Sequence, residues 1–368
     1  MNIGIDIRST LKKKTGVGYY TLNIVNNLAK IDKQNNYFLY SKIRVFSNKK
    51  LPVLTLGRNF RHSINRFNIN PQFLLRNLDV FFTPSFDLQK PKKSRLILTV
   101  LDVIHKSYPE SGYLPGTIEC LENNLKRILP SADVIIVPSL ITKNDILRYY
   151  EVDKDKICLI YPGINGHLRN EGLSITQKED FLKKYNLSLK PFILFVGTLG
   201  PRKNIEGLIN AYKILKERSN LEYKLVIAGM KGWSYDTIFS LVEKYGLNED
   251  VIFTGYLEED ELKKFYKTAD IFAYPSFYEG IGLPVLEALS FGLPVVTSKS
   301  SSMSEIAQDA AILVDPYKPE EIAQGILRLI NDAKLRQDLK EKALKRAKEL
   351  SWEAAARKIL EVFDSCIK

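Results

Sequence analysis

Tyr278-Glu279-Gly280-Ile281-Gly282-Leu283-Pro284-Val285-Leu286-Glu287-Ala288-Leu289-Ser290-Phe291-Gly292 reads as a loop that passes into a helix. Pro284 suits a first helical position, where a missing N–H costs nothing. Gly292 and Pro294 stop the helix. Ahead of the loop lies Ile271-Phe272-Ala273-Tyr274, an apolar run with strand character. In the order strand, glycine-bearing loop, helix, backbone N–H groups point at whatever sits above them. The helix dipole makes that spot favourable for an anion. Glu279 precedes the glycines and Glu287 falls in the second helical turn, so two carboxylates flank the cradle. This suits a ligand with phosphate at its centre and hydroxyls at both ends, as a nucleotide-sugar has. A solvated surface position for either glutamate is equally compatible with the spacing.

The same grammar recurs along the second half. Pro191–Thr198 is a buried strand, Leu199-Gly200-Pro201-Arg202-Lys203-Asn204 a loop, and Ile205–Glu217 a helix. Two cations at a helix start run against its dipole, a conflict that points to a bound anion. Arg202 offers a fork and Lys203 a point charge, which together can clamp a diphosphate. Further strands are expected at Lys224–Ala228, Val251–Phe253 and Val295–Thr297. Gly197, Gly229 and Gly255-Tyr256 close strands where a nucleotide base can lie against backbone.

In the first half, the strand Asn2–Ile7 is followed by the basic loop Lys12-Lys13-Lys14 and by Gly16-Val17-Gly18. Leu22, Val25, Leu28, Ala29 and Ile31 then mark an amphipathic helix. A glycine turn between first strand and first helix is the phosphate position of dinucleotide-binding folds. A tight turn would use the same glycines. Strands at Tyr37–Tyr40, Leu51–Leu56, Val80–Thr83, Leu96–Leu101 and Val134–Val137 alternate with helices at Thr117–Leu129 and Thr142–Tyr149. Such alternation specifies a parallel, doubly wound α/β sheet. Asp102 and His105 sit at the carboxyl end of one strand, where open sheets bind ligands. A hydrogen-bonded structural role for His105 fits equally well. Asp153-Lys154-Asp155 has the D-x-D form of metal-dependent transferases, but in a charged turn before a strand it reads as solvated, and no metal is expected.

A chain of 368 residues, 45% hydrophobic and 26% charged, accommodates two soluble globular domains. It has no apolar run long enough to span a bilayer and no signal-peptide pattern at its start. Cys120, Cys158 and Cys366 are far apart and read as reduced cytosolic thiols. The net charge of +12 is lopsided: residues 1–163 carry 25 Lys and Arg against 13 Asp and Glu, and the remainder 29 against 29. A basic half favours anionic partners such as phospholipid headgroups, or serves solubility alone. Arg58-Asn59-Phe60-Arg61-His62-Ser63-Ile64-Asn65-Arg66-Phe67 interleaves cations with apolar residues. It reads as a membrane-surface or acceptor-binding segment, or as an ordinary surface stretch with anchoring aromatics.

Tyr278 to Val295 resembles the Glu-x7-Glu signature of the family 4 retaining nucleotide-sugar glycosyltransferases, inside E-G-x-G-L-P-x-x-E-A-x-x-x-G-x-P-V. Further similar passages are Gly16–Ile24, Ser131–Ser139, Lys156–Ile164, the G-x-x-x-x-R-K-N form ending at Asn204, Ser301–Ala307 and Ala310–Pro316. The resemblance spans the chain, densely from Pro191 to Pro316 and thinly before Lys90. It implies a GT-B fold: two Rossmann-like domains with parallel sheets facing a central cleft, here 1–163 on the acceptor side and 164–350 on the nucleotide-sugar side. The tail, 351–368, would cross back to the first domain, led by a cap at Ser351. In this reading Glu279, Arg202, Lys203, Asp102 and His105 are catalytic. Gly16, Gly18, Gly197, Gly229, Tyr256, Gly280, Ile281, Gly282, Leu283 and Glu287 hold the donor. One departure matters. Asp102, Pro109 and Glu110 match the family's H-D-x-x-x-x-x-x-P-E, but Leu101 stands where that pattern has histidine.

The resemblance further implies transfer of a hexose, mannose favoured, from GDP- or UDP-sugar to a glycan or lipid-linked acceptor, without cofactor or metal. The setting would be the cytoplasm or the inner face of an anionic membrane, with no nucleic-acid partner. Two other readings stay open: a sugar-nucleotide epimerase-type enzyme on the same fold, or a nucleotide-sugar-binding protein that has lost catalysis.

Overall fold

The computed structural model describes residues 1–11, 16–43, 56–67, 74–75, 77–84, 86, 91, 93–111, 115–164, 173–187, 190–218 and 222–367. The basic loop Lys12–Lys14 and all of the expected strand Leu51–Leu56 except Leu56 lie outside these residues.

The chain forms two compact units. The first comprises Met1–Val103, Leu114–Gly163 and Leu350–Lys368, and the second Ile104–Tyr113 and Ile164–Glu349. The domain boundary thus falls after Gly163, with one short excursion, Ile104–Tyr113, that counts with the second unit.

In the first unit β1 (Asn2–Asp6), β2 (Asn36–Lys42), β3 (Phe60–Asn65), β4 (Val80–Thr83), β5 (Arg95–Thr99), β6 (Val134–Val137) and β7 (Ile157–Leu159) form one sheet. Its order is β3-β2-β1-β4-β5-β6-β7, and every pairing is parallel. Helices on both faces bury such strands completely, which is why Val80-Phe81-Phe82 reads as a continuous apolar run rather than an alternating one. In the second unit β8 (Phe192–Val196), β9 (Lys224–Ala228), β10 (Val251–Gly255), β11 (Ile271–Tyr274), β12 (Val295–Ser298) and β13 (Ile312–Val314) follow the order β10-β9-β8-β11-β12-β13, again all parallel. In both sheets the order of strands along the chain therefore reverses once, between β1 and β4 and between β8 and β11. Ligands of doubly wound sheets bind at the carboxyl ends of the strands at such a switch point.

The last helix, Trp352–Ser365, belongs to the first unit. Ser351 caps it by accepting from Ala354 N at 3.1 Å. Trp352 is buried edge-on against Tyr19 and Tyr20 of the helix Gly16–Ile31, with ring centroids 6.1 and 5.7 Å away. Gly163 is required here, since a Cβ on it would lie 1.9 Å from Trp352 N.

The segment Arg58–Phe67 contains the edge strand β3, Phe60–Asn65, with Arg58, Arg61, Arg66 and Phe67 exposed. Phe60 is buried and stacked on Tyr37 at 4.2 Å, because the inward side of an edge strand must still cover its neighbour. Phe67 is 76% exposed. Among the described residues no helix is long and apolar enough to cross a membrane.

Candidate active site

The loops leaving β8 and β11 meet at the switch point of the second sheet. After β8, Pro201–Lys203 make one 3-10 turn, and Asn204 takes a left-handed conformation (φ 53°) before the helix Ile205–Arg218 begins. Arg202 and Lys203 thus precede the helix instead of occupying its first turn. The buried Asn204 side chain donates to Pro275 O at 2.9 Å and Pro316 O at 2.6 Å, tying this turn to the loops after β11 and β13.

Glu279 is the anion that answers the two cations. Its Oε1 lies 2.6 Å from Arg202 NH1 and 2.6 Å from Lys203 Nζ, and it accepts from Tyr274 OH and Ser276 Oγ, each at 2.9 Å. Burial raises this carboxyl's pKa, but the Arg202 and Lys203 charges outweigh it and hold the group at about 2, so it is ionised. The pair that opposes the helix dipole is therefore partly balanced inside the protein. Lys203 Nζ also donates to Tyr274 OH and lies over its ring, and Arg202 NH1 donates to Tyr278 O at 2.5 Å. Ser301 Oγ closes the loop, accepting from Glu279 N at 2.7 Å and donating to Glu279 O at 2.6 Å.

Gly282 caps the helix Leu283–Ser290 with φ 77°, a left-handed conformation that a side chain would strain. Pro284 is the second helical residue, not the first. Gly280, Ile281 and Gly282 are buried between Glu279 and the helix start. Glu287 projects from the second turn and accepts from Tyr266 OH at 2.9 Å. Burial raises its pKa to about 7; the Tyr266 bond lowers it and the Glu259 charge adds to the rise. The two glutamates are therefore in opposite electrostatic states, one fixed as an anion and one poised near neutrality.

Close packing of backbone shapes the rest of the sheet's carboxyl edge. Gly229 abuts Gly197, whose carbonyl oxygen would sit 1.9 Å from a Cβ on Gly229. Tyr256, following the left-handed Gly255 (φ 70°), stands largely exposed beyond β10.

The remaining expected residues lie elsewhere. Gly16 and Gly18 occupy the first turn of the helix Gly16–Ile31, not a turn ahead of it, and belong to the first unit. Asp102 also belongs to the first unit. His105 is buried in the short helix Ile104–Ser107, which follows the carboxyl end of β5 and counts with the second unit. The Leu101 side chain is buried, and its carbonyl accepts from Thr142 Oγ1 at 3.4 Å. Asp153 caps a 3-10 turn by accepting from Asp155 N at 3.0 Å. Among the described residues no group of three His, Cys, Asp or Glu is gathered as a metal site.

The sequence reading missed the polar cluster at the first sheet's switch point. Arg8 grips Asp6 with a fork, Nε to Oδ1 at 2.9 Å and NH2 to Oδ2 at 2.8 Å, and Thr83 at the end of β4 donates to Asp6 at 3.0 Å. The signal available was an aspartate closing an otherwise apolar first strand.

Two family models match the chain: "Glycosyltransferase Family 4" over residues 15–167 and "Glycosyl transferases group 1" over residues 177–346. The chain is 32% identical over 285 residues to the O-antigen chain mannosyltransferase B of Escherichia coli, spanning 77% of this chain and 74% of that protein. Its fold is similar to that of a sucrose-phosphate synthase from Thermosynechococcus elongatus, with TM-score 0.76, 21% identity, and 99% and 98% of the two chains covered. A second similar structure is HepE of Anabaena in complex with UDP and glucose, with TM-score 0.74, 16% identity and 99% of each chain covered.

Proposed function

Because the chain belongs to the group 1, family 4 glycosyltransferases, we propose that it moves a hexose, mannose foremost, from a nucleoside-diphosphate sugar to a glycan or lipid-linked acceptor. Transfer would retain the anomeric configuration and need no metal. The observation that carries this reading is the convergence of Arg202, Lys203 and Glu279 at the switch point of the second sheet. Likeness to a mannosyltransferase favours mannose, which makes GDP-mannose the first donor to test.

Loss of the nucleoside diphosphate builds negative charge, and fixed cations lower that barrier without reorganising. Arg202 and Lys203 would supply the field, with the Gly280–Gly282 amides at the helix start beside them. An arriving diphosphate would draw the cations from Glu279. The released carboxylate could then accept from sugar hydroxyls and fix the anomeric carbon. Glu287 would accept from the ribose diol, and Gly197, Gly229 and Tyr256 would border the base. Gly16 and Gly18 stay candidates for holding the donor, and Asp102 and His105 stay candidate catalytic residues. No covalent nucleophile is assigned, and the leaving phosphate would help deprotonate the acceptor. The basic first half would hold the enzyme at the cytoplasmic face of an anionic membrane, near a lipid-linked acceptor.

The test is nucleotide release from a panel of GDP- and UDP-sugars with and without glycan acceptors. Release that requires an acceptor supports transfer. Conversion of the sugar without release would establish an epimerase, and binding with neither would establish the non-catalytic reading that Leu101 keeps open.

A further inference from the structure

A cavity of about 300 Å³ opens in the second unit beside the Gly200–Asn204 turn, and none of Arg202, Lys203 and Glu279 lines it. One wall is a row of near-parallel rings. Tyr108 and Phe277 have centroids 6.0 Å apart at 16°, and Phe277 and Tyr317 4.7 Å apart at 27°. Tyr317 is 67% exposed, so a large ring stands open at the cavity.

The polar lining is of mixed kind. Glu206 accepts from Thr237 through one carboxylate oxygen, and its other oxygen has no partner among the described residues. Asn210 accepts from Tyr245 OH at 2.9 Å through Oδ1, which leaves its NH2 group as an unused donor. Ser234, held at φ 48°, adds a hydroxyl able to donate or accept. Among the described residues Glu206 is the one acidic side chain in the lining and no Lys or Arg lines it, which disfavours a phosphate-bearing occupant. An alkyl chain would bury the amide and carboxylate without partners, at a cost. An uncharged ring that carries hydroxyls on its rim and an apolar C–H face satisfies all of these groups at once.

We propose that this cavity is a saccharide subsite that holds a neutral pyranose unit, its C–H face against the aromatic wall and its hydroxyls on Glu206, Asn210 and Ser234. The volume is at the small end of ligand pockets, which suits one sugar residue rather than a long segment. The identification of that unit as part of the acceptor glycan rests on the transferase reading above; the binding of a sugar ring does not.

Saturation-transfer NMR and calorimetry with mannotriose and with maltotriose, in the absence of nucleotide, test the subsite. The variants are Tyr317→Ala and Asn210→Asp; the second keeps the acceptor used by Tyr245 and removes the free donor. The expected result is saccharide binding by the wild type, weakened at least about fivefold in each variant, with GDP and UDP affinity unchanged. No saccharide binding by the wild type, or equal binding by both variants, overturns the proposal. Nucleotide release measured on the same preparations separates the two readings. Release without variant-sensitive saccharide binding overturns the subsite alone. Variant-sensitive binding without release supports the subsite and removes the transferase reading.

Discussion

Lys203 Nζ and Glu279 Oε1 lie 2.6 Å apart although 76 residues separate them in the chain. The contact exists because β8 and β11 are neighbours, so the loops that leave their carboxyl ends meet. Arg202 reaches the same oxygen at 2.6 Å, and the cluster of two cations and one carboxylate carries a surplus positive charge.

Arg202→Ala and Lys203→Ala should each weaken donor binding by about 10- to 150-fold, the effect of losing one charge-assisted contact of about 1.5–3 kcal/mol. Each should also let the Glu279 pKa climb, since an opposing charge is gone. Calorimetry with GDP and UDP is the check, and wild-type affinity in both variants would remove the clamp.

Glu279→Gln should lower kcat more than it raises the donor KM, because its proposed partner is the reacting sugar. Glu287→Gln should mainly raise the donor KM, because its proposed partner is the ribose. Steady-state kinetics with varied donor decides this, and the reverse pattern would mean the donor lies the other way round.

The same two carboxyls shape stability against pH in opposite senses. Glu279 has its folded pKa depressed to about 2 from 4.5, so it stabilises above pH 4.5 and that contribution is lost as pH falls toward 2. Glu287 has its pKa raised from 4.5 to about 7, so its burial cost grows as pH rises from 4.5 to 7 and is complete above. Thermal unfolding of Glu287→Gln should therefore show a stability gain over wild type that is small at pH 4.5 and largest near pH 8. Tyr266→Phe, which removes a bond to the charged form, should push the Glu287 titration higher still. A Glu287→Gln gain that is flat with pH would refute the assignment.

Gly163→Ala should destabilise the first unit by about 1–3 kcal/mol, the usual cost of overpacking. The new Cβ meets backbone at Ser351 and Trp352, which cannot swing aside as a flexible side chain would. Limited proteolysis should then cut near residue 350 earlier than in wild type, and an unchanged Tm would contradict the packing argument.

Binding to anionic vesicles should fall steeply between low and high salt as the basic first half is screened. Because Phe60 is buried on Tyr37, the half-buried Ile64 and the exposed Phe67 are the apolar residues of this segment left to enter a headgroup layer, and Phe67→Ala should weaken co-sedimentation. Equal behaviour on neutral and anionic vesicles would leave the charge as a solubility feature.

What the sequence determined by itself was the local grammar. Val80–Thr83, Val134–Val137, Lys224–Ala228 and Ile271–Tyr274 were legible as strands to the residue, because burial on both faces writes an unbroken apolar run. The alternation with helices fixed the class, and Ser351 announced its cap. Tertiary structure alone decided which loops meet. Strand order is set by how two sheet faces are covered, and no local propensity encodes that β8 lies beside β11. For the same reason the Asp6–Arg8–Thr83 cluster and the row Tyr108, Phe277 and Tyr317 were invisible, their members coming from separate loops. The electrostatic contrast between Glu279 and Glu287 was equally hidden. It depends on which partners and how much protein surround each carboxyl, and the chain settles that only when it folds.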